Sequence, residues 1–210
     1  MKRFSNILVA LGVTLFLMSV GMKSEAEAQP CTSPWQNTTE VVTVDGCNYV
    51  VELCILCQFS YPGKIKVNSF RNIGPCNSTL DYGQISQQIF TQLSNPTSLW
   101  LNFCQDSFPP CKNTPRQVYI FEMPICWKLV LNTINGTDST WLAIPCDDKA
   151  YCYEEHKYCK DKYGVIHHTN GSYFGYNFPP ECKMEGYEIV KPTALHEESE
   201  CYIMHTICNP

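Results

Sequence analysis

The chain has 210 residues, 14 cysteines and a formal net charge of -5. Because it has no basic excess, nucleic acid is excluded as an expected partner. Only 17% of its residues are charged and no segment is of low complexity, so the composition also argues against a disordered chain. Fourteen cysteines are typical of an oxidising compartment, since in a reducing cytosol they would require many bound metal ions.

The first 28 residues have the organisation of a cleaved secretory signal peptide. Lys2 and Arg3 give a positive start, residues 7–20 are almost entirely apolar, and residues 26–28 read Ala-Glu-Ala. An apolar helix of that length spans about 21 Å, too short for a hydrocarbon core of roughly 30 Å. We therefore predict cleavage after Ala28, no membrane span in the mature chain, and a secreted, extracellular protein, or a periplasmic one if the source is bacterial. The alternative is an uncleaved membrane anchor.

The mature chain is predicted to be mostly β, as an antiparallel, disulfide-stapled meander or sandwich. The strongest hairpin signal is Asp45-Gly46 between the runs 41–44 and 48–53, because a two-residue turn of this type needs positive φ at both residues. Three further turn signals lie between β-rich runs: Pro62-Gly63, Asn135-Gly136 and Asn170-Gly171. Other strands are predicted at 99–103, 117–121, 187–190 and 202–207.

One short amphipathic helix is predicted at about 82–94. Ile85, Ile89 and Leu93 recur every four residues and therefore share one face. Asp81 can accept hydrogen bonds from the first free backbone N–H groups, and Asn95-Pro96 ends the helix. We expect the apolar face to pack on the sheet.

The cysteine spacing predicts two related halves. A pair of cysteines with six residues between them occurs four times, twice before residue 115 and twice after it. This order suggests a tandem duplication, with a first Cys-rich β repeat over 29–114, which contains the helix, and a second over 115–210. The match is imperfect, since Cys57 has no counterpart, and the alternative is a coincidence of spacing. All the cysteines are predicted to form disulfides: Cys31, Cys47, Cys54, Cys57, Cys76, Cys104, Cys111, Cys126, Cys146, Cys152, Cys159, Cys182, Cys201 and Cys208.

Strand geometry limits which cysteines can pair. Residues seven apart on a strand are separated by about 23 Å, whereas a disulfide needs Cα atoms within roughly 7 Å, so Cys47 cannot bridge Cys54. Cys104 and Cys111 are an exception, because the Phe-Pro-Pro sequence at 108–110 could fold the ends of this segment together. Each half has an odd number of cysteines, so at least one disulfide joins the halves, or each half keeps one free thiol.

The sequence has no strong catalytic motif, and no catalytic residue or cofactor is predicted. It lacks G-x-S-x-G and H-E-x-x-H. No helix follows the Cys-x-x-Cys motif of Cys54 and Cys57, which favours structural disulfides over redox chemistry. No metal is predicted; the weak candidates as ligands are His156 and His168, which a hairpin turning at 162–164 would bring together, as zinc or copper would require. The alternative is two solvated histidines on a strand surface.

Two sets of residues indicate exposed features, namely a candidate ligand-binding face and candidate glycosylation sites. Tyr151, Tyr153, Tyr173 and Tyr176 form a candidate ligand face, because aromatic rings stack on sugars and anchor protein partners. The alternative is aromatic packing over a thin core. Four Asn-x-Ser/Thr sequences are N-glycosylation acceptors in a source that glycosylates, and they predict exposed loops: Asn37, Asn77, Asn135 and Asn170.

From these observations we predict a secreted, disulfide-rich, non-enzymatic protein with a binding, adhesive or surface-structural role. Its expected partner is a protein or a glycan at the cell exterior. One alternative is a secreted hydrolase that uses paired carboxylates, which a polar cleft containing two carboxylates would favour. Another is an inhibitor-like or toxin-like effector, which a protruding, bridged loop between Cys104 and Cys111 would favour.

Overall fold

The computed structural model describes residues 28, 30–58, 62–112, 116–134, 138–146, 151–176, 182–183 and 189–203. The predicted signal peptide, apart from Ala28, lies outside these residues. The predicted mostly-β fold class is confirmed, and the strands are β1 (Gln36–Val44), β2 (Cys47–Leu56), β3 (Gly63–Ile73), β4 (Gln117–Pro124), β5 (Cys126–Ile134), β6 (Asp138–Pro145), β7 (Tyr151–Lys160), β8 (Ile166–Tyr176) and β9 (Tyr202–Ile203). The helices are α1 (Tyr82–Leu93) and α2 (Leu101–Cys104), and a 3-10 turn follows at Gln105–Ser107. Within the described ranges, neither helix has the length and apolar character that a membrane crossing requires.

The nine strands of the described residues belong to one sheet that branches at β3. The main path runs β8-β7-β4-β3-β6-β5-β9, and β2 and then β1 continue from β3 as a second path. The start of β3, residues 63–66, pairs with β4, whereas Phe70 and Arg71 pair with β6. The β3–β4 pairing is parallel, so the sheet is mixed and not wholly antiparallel as predicted. A parallel pair needs a long crossover connection, which the segment containing α1 and α2 supplies.

The predicted Asp45-Gly46 hairpin is confirmed. Asp45 and Gly46 have φ angles of 49° and 74°, as a two-residue turn of this type requires, and β1 and β2 pair antiparallel on either side. The pairings of β2 with β3 and of β5 with β6 are also antiparallel, as the turn signals predict. Asn135-Gly136 itself lies outside the described residues.

The turn predicted at Asn170-Gly171 is wrong, because both residues lie within β8. This strand pairs with β7 through two register shifts. The chain turns at 161–165, in agreement with the hairpin predicted at 162–164, and there the Asp161 carboxylate accepts hydrogen bonds from the backbone N–H groups of Tyr163 and Val165. Pairing with β7 outweighs the local turn preference of Asn-Gly, because it provides the backbone groups with hydrogen-bond partners.

The strand predicted at 99–103 is also wrong, since this segment contains the helix α2. Glu40 of β1 is only 7% exposed, and its carboxylate accepts hydrogen bonds from the Ser98 hydroxyl and the Leu99 backbone N–H. These bonds satisfy donors just before α2 and fix a bend there. Of the other predicted strands, 117–121 lies within β4, 202–203 forms β9, and 189–190 is not a strand; residues 187–188 and 204–207 lie outside the described residues.

The predicted amphipathic helix is confirmed as α1. Asp81 accepts a hydrogen bond from the Gln84 backbone N–H, and the Gln84 side chain accepts one from the Asp81 N–H. The side-chain amide of Gln92 donates to the Thr43 carbonyl at 2.6 Å, which protects part of the free edge of β1. The buried face of α1 comprises Gly83, Ile85, Ser86, Ile89, Phe90 and Leu93.

Large aromatic rings fill the space between the helices and the sheet. Trp100 is 1% exposed, and its ring centroid lies 5.3 to 5.7 Å from the centroids of Tyr119, Phe121 and Tyr158. Its indole N–H donates to the Leu93 carbonyl at 2.7 Å, so the polar atom of this buried ring is satisfied. We refer to this region as the helix-side core.

Six disulfides join described cysteines: Cys31–Cys54, Cys47–Cys76, Cys57–Cys104, Cys111–Cys159, Cys126–Cys182 and Cys146–Cys201. Cys152 is also disulfide-bonded, and none of the described cysteines is free. Cys208 lies outside the described residues. As predicted, Cys47 does not bridge Cys54, and one disulfide, Cys111–Cys159, joins the two predicted halves.

The bridge considered between Cys104 and Cys111 does not form. Cys104 ends α2 in the helix-side core, where it bonds Cys57, whereas the segment before Cys111 runs beside β7 through a bridge of Pro110 to Lys160. The two cysteines are therefore held by different parts of the molecule.

The division into two repeats at residue 114 stays a prediction. The sheet is continuous across that point, because β3 pairs with both β4 and β6. In the predicted alignment Cys47 and Cys76 correspond to Cys152 and Cys182, but Cys182 is bonded to Cys126.

Candidate functional site

A polar cavity of about 420 Å³ lies on the face of the sheet opposite α1. Its volume falls within the range of roughly 300–1,000 Å³ that is usual for small-molecule sites. The described residues that line it come from five strands and from the N-terminal segment: Ala28, Pro30, Asn37, Glu52, Asn68, Arg71, Asn132, Thr133 and Leu142. We call it the back-face cavity.

The alternation of strand residues explains why these side chains point away from the helices. Val51 and Leu53 of β2 are fully buried in the helix-side core, so Glu52 between them faces the other side. In the same way Phe70 of β3 faces the core and the next residue, Arg71, faces the cavity. The cavity is therefore a consequence of ordinary strand geometry.

One wall of the back-face cavity is apolar. Val130, Leu142 and Ile144 form a small buried cluster on β5 and β6, and Ala28 packs against it. The N-terminal segment that includes Ala28 and Pro30 is tied to β2 by the Cys31–Cys54 disulfide. If the chain is cleaved after Ala28, the mature protein lacks Ala28 in the cavity wall but keeps Pro30.

Two opposite charges face the cavity without pairing to each other. In the β2–β3 register, Glu52 is opposite Ser69 and Val50 is opposite Arg71, so the two charged residues are diagonal neighbours on one face. Such neighbours are separated by roughly 7–8 Å. Within the part of the chain that the structure describes, neither the Glu52 side chain nor the Arg71 side chain forms an ion pair or a hydrogen bond. The cavity therefore offers one cation and one anion to a ligand.

Neutral hydrogen-bonding groups complete the lining. Asn37, Asn68 and Asn132 supply amides, and Thr133 supplies a hydroxyl. An amide both donates and accepts hydrogen bonds, so this set matches hydroxyl-bearing ligands as well as other amides. Asn68 is only 5% exposed.

The described residues do not favour either alternative function, the hydrolase with paired carboxylates or the inhibitor-like or toxin-like effector. Glu52 is the only carboxylate among the described residues that line the cavity, whereas a glycosidase-type mechanism needs two carboxyl groups about 5–10 Å apart. Phe108, in the loop considered for an inhibitor, is 7% exposed and packs against Tyr119 and Tyr158. That loop therefore presents no protruding phenylalanine.

The structure brings His156 and His168 together, as the predicted hairpin requires. Nδ1 of His156 and Nε2 of His168 are 2.7 Å apart, which is a hydrogen bond between the two imidazoles. His156 is 2% exposed and its ring lies 4.6 Å from that of Phe121, while Nε2 of His156 is 3.4 Å from a Glu154 carboxylate oxygen. His168 stacks on Tyr158 with the centroids 4.9 Å apart. We call these two residues the histidine pair.

Burial and the neighbouring His156 lower the pKa of His168 to about 4, although Glu154 opposes this shift. Near neutral pH the imidazole of His168 is therefore uncharged. Among the described residues, no group of three potential metal ligands includes the pair. One such group does occur at Cys126, Cys146 and Cys201, but disulfides use all three sulfur atoms.

The other predicted site residues are spread over the molecule. Tyr151 is 3% exposed and its ring lies under the Lys66 ammonium, so it is not part of an open aromatic surface. Tyr153 is half-buried beside it; Tyr173 and Tyr176 are in β8, and their side chains are outside those described. The Cys-x-x-Cys cysteines belong to two separate disulfides, which confirms their structural interpretation.

The predicted glycosylation acceptors also differ in position. Asn37 and Asn77 are exposed, but Asn37 lies on β1 and not in a loop. Because Asn37 lines the back-face cavity, a glycan attached there would stand beside it. Asn135 lies outside the described residues, and Asn170 lies in β8.

Sequence reasoning missed the cavity. The only available signal was polar or charged residues at alternate positions of otherwise apolar strands, such as Glu52 between Val51 and Leu53. Such residues are usually solvated. The sequence around each one does not show that the polar residues of five different strands converge on one cavity.

Comparisons of this chain with protein-family models, with curated proteins and with solved structures find no match.

Proposed function

We propose that this chain is a secreted, non-enzymatic binding protein and that its ligand occupies the back-face cavity. The observation that carries the proposal is the pair of unpartnered charges, Glu52 and Arg71, in a concave site lined by amides. Half-buried charged groups lose part of their hydration, and a ligand that bonds to both would compensate for that loss.

The disulfides support a binding role in the cell exterior. The cysteines of six bridges come from both the N-terminal and C-terminal parts of the chain, which is the pattern of a fold maintained in an oxidising compartment. A rigid sheet that holds the lining residues in place lowers the entropy cost of binding. The cell-exterior partner is a glycan or a protein that presents a small polar group to the cavity.

The test is a glycan and protein array probed with the mature chain that begins at Gln29. A Thr133→Trp variant fills the cavity from β5, and Thr169→Trp at an exposed position of β8 serves as the matched control. We expect array signals from the unmodified chain and from Thr169→Trp, and their loss in Thr133→Trp with an unchanged far-UV circular dichroism spectrum. Equal signals from all three folded proteins would exclude the cavity as the binding site.

A further inference from the structure

We propose that the back-face cavity recognises a small carboxylate that carries a hydroxyl or ammonium group a few bonds away. Arg71 would bind the carboxylate and Glu52 would bind the neighbouring donor. This inference rests on the proposed function and adds to it the chemistry of the ligand.

The guanidinium of Arg71 is the anchor for the carboxylate. It has five N–H donors in a planar fork, accepts no hydrogen bond, and stays charged at all ordinary pH values. No carboxylate of the described residues lies within ion-pair distance of it, and no lysine shares the lining. A carboxylate is the group whose two oxygens match the fork with two parallel hydrogen bonds.

Glu52 selects for a donor on the same ligand. Its carboxylate accepts hydrogen bonds and donates none when ionised. Because Glu52 and Arg71 are diagonal neighbours across β2 and β3, a single small molecule reaches both. An anion without such a donor would leave its negative charge beside Glu52, so the cavity disfavours a simple phosphate or sulfate.

The balance of charge supports the same conclusion. One arginine and one glutamate make the formal charge of the lining zero. A zwitterion or a singly charged acid rich in hydroxyl groups can neutralise Arg71 while supplying a donor to Glu52, whereas a multiply charged anion cannot do so without repulsion. The side-chain N–H groups of Asn132 and the Thr133 hydroxyl add hydrogen-bonding groups for the remaining polar atoms of the ligand.

Two sources provide this chemistry, namely an acidic saccharide and an amino acid or peptide terminus. Matched probes separate them. Glucuronate and glucose differ at the carboxylate of a sugar, and alanine and alaninamide differ at the carboxylate of an amino acid. We would titrate each compound at millimolar concentrations into the 15N-labelled mature chain and follow its amide resonances.

We expect at least one acid to shift resonances around the cavity and its match without the carboxylate to bind at least about tenfold more weakly, because a hydrogen-bonded charge contributes roughly 1.5–3 kcal/mol. Arg71→Gln should weaken that acid by about 10- to 100-fold, and Arg71→Lys should retain part of the affinity because it lacks only the fork. Glu52→Gln should reduce the preference for a carboxylate that carries a hydroxyl or ammonium donor over one that lacks it. Arg116→Gln is the matched control, since Arg116 is bonded to Thr169 on another part of the sheet.

The outcomes distinguish the two proposals. Equal binding of the acids and of their matches without the carboxylate, abolished by Thr133→Trp, would overturn the carboxylate inference and leave the proposed function standing. Binding of an acid that Arg71→Gln does not weaken would also overturn the inference. If no probe shifts the cavity resonances and the array signals survive Thr133→Trp, both proposals are wrong.

Discussion

The two faces of the central strands use neighbouring residues for opposite purposes. On the helix side, Phe70 is 1% exposed and contacts other rings, and the indole N–H of Trp100 has a carbonyl partner. On the back face, Arg71 is the next residue along β3, and its side chain has no partner among the described residues. The first face is closely packed by apolar and aromatic side chains, and the second retains charged side chains that can bond to a ligand. Adjacent residues of one strand therefore serve different roles, since Phe70 contributes to the stability of the core and Arg71 to the proposed recognition of a ligand.

The largest effect should come from opening the packed face. Trp100→Ala removes a fully buried ring that contacts three other aromatic rings and leaves a cavity. We expect a loss of about 3–5 kcal/mol in the free energy of unfolding, measured by denaturant titration. Phe103→Ala on α2 is the control, because Phe103 is 55% exposed and its removal should change stability by less than about 0.5 kcal/mol. Comparable losses in the two variants would show that the helix side is not the stabilising face.

Two variants that each lack one disulfide test whether ligand binding at the back face can be lost separately from stability. Replacing Cys31 and Cys54 with serine, or Cys47 and Cys76, opens loops of similar sequence separation, 23 and 29 residues. Each change should cost about 2–4 kcal/mol of unfolding free energy. Only the first releases the N-terminal segment that lines the cavity, so only the first should also abolish ligand binding in the folded protein. Loss of binding in both variants would contradict the separation of the faces.

The histidine pair gives the smallest expected effect, as a dependence of stability on pH. The pKa of His168 is about 4 in the folded chain and 6.5 without burial, so between these values the unfolded chain binds more protons. The stabilisation from the neutral imidazole is complete above about pH 6.5 and is lost as the pH falls toward 4. The facing groups on β7 are Glu154 and Tyr158; α1 and β4 contribute the uncharged rings of Phe90 and Phe121.

The measurement is the unfolding free energy of three proteins from pH 7 to pH 4. His168→Asn should flatten the profile in this window relative to the unmodified chain. His167→Asn is the matched control, because His167 is exposed on the opposite face of β8 and bonds Asp161. A profile for His168→Asn that falls as steeply as that of the unmodified chain would show that other groups cause the pH dependence.

Local features of the fold were predictable from the sequence because their causes are local. The Asp45-Gly46 turn needs only two residues that tolerate positive φ, and α1 needs only a cap and a four-residue apolar period. The closeness of His156 and His168 was predictable for the same reason, since one short hairpin joins them. The Asn170-Gly171 turn failed because its local preference competes with the longer ladder between β7 and β8.

The sequence by itself determined the strand-rich character and the single main helix, because alternation and capping act over short distances. The number of cysteines was enough to predict that the chain is disulfide-bonded. Only the tertiary structure decided the partner of each cysteine, the helical bend that Glu40 holds 58 residues away, and the convergence of Glu52 and Arg71 with amides of β1 and β5. These features depend on the order of strands in the sheet. That order is set by the cooperative burial of apolar residues from the whole chain, which no short segment of sequence encodes.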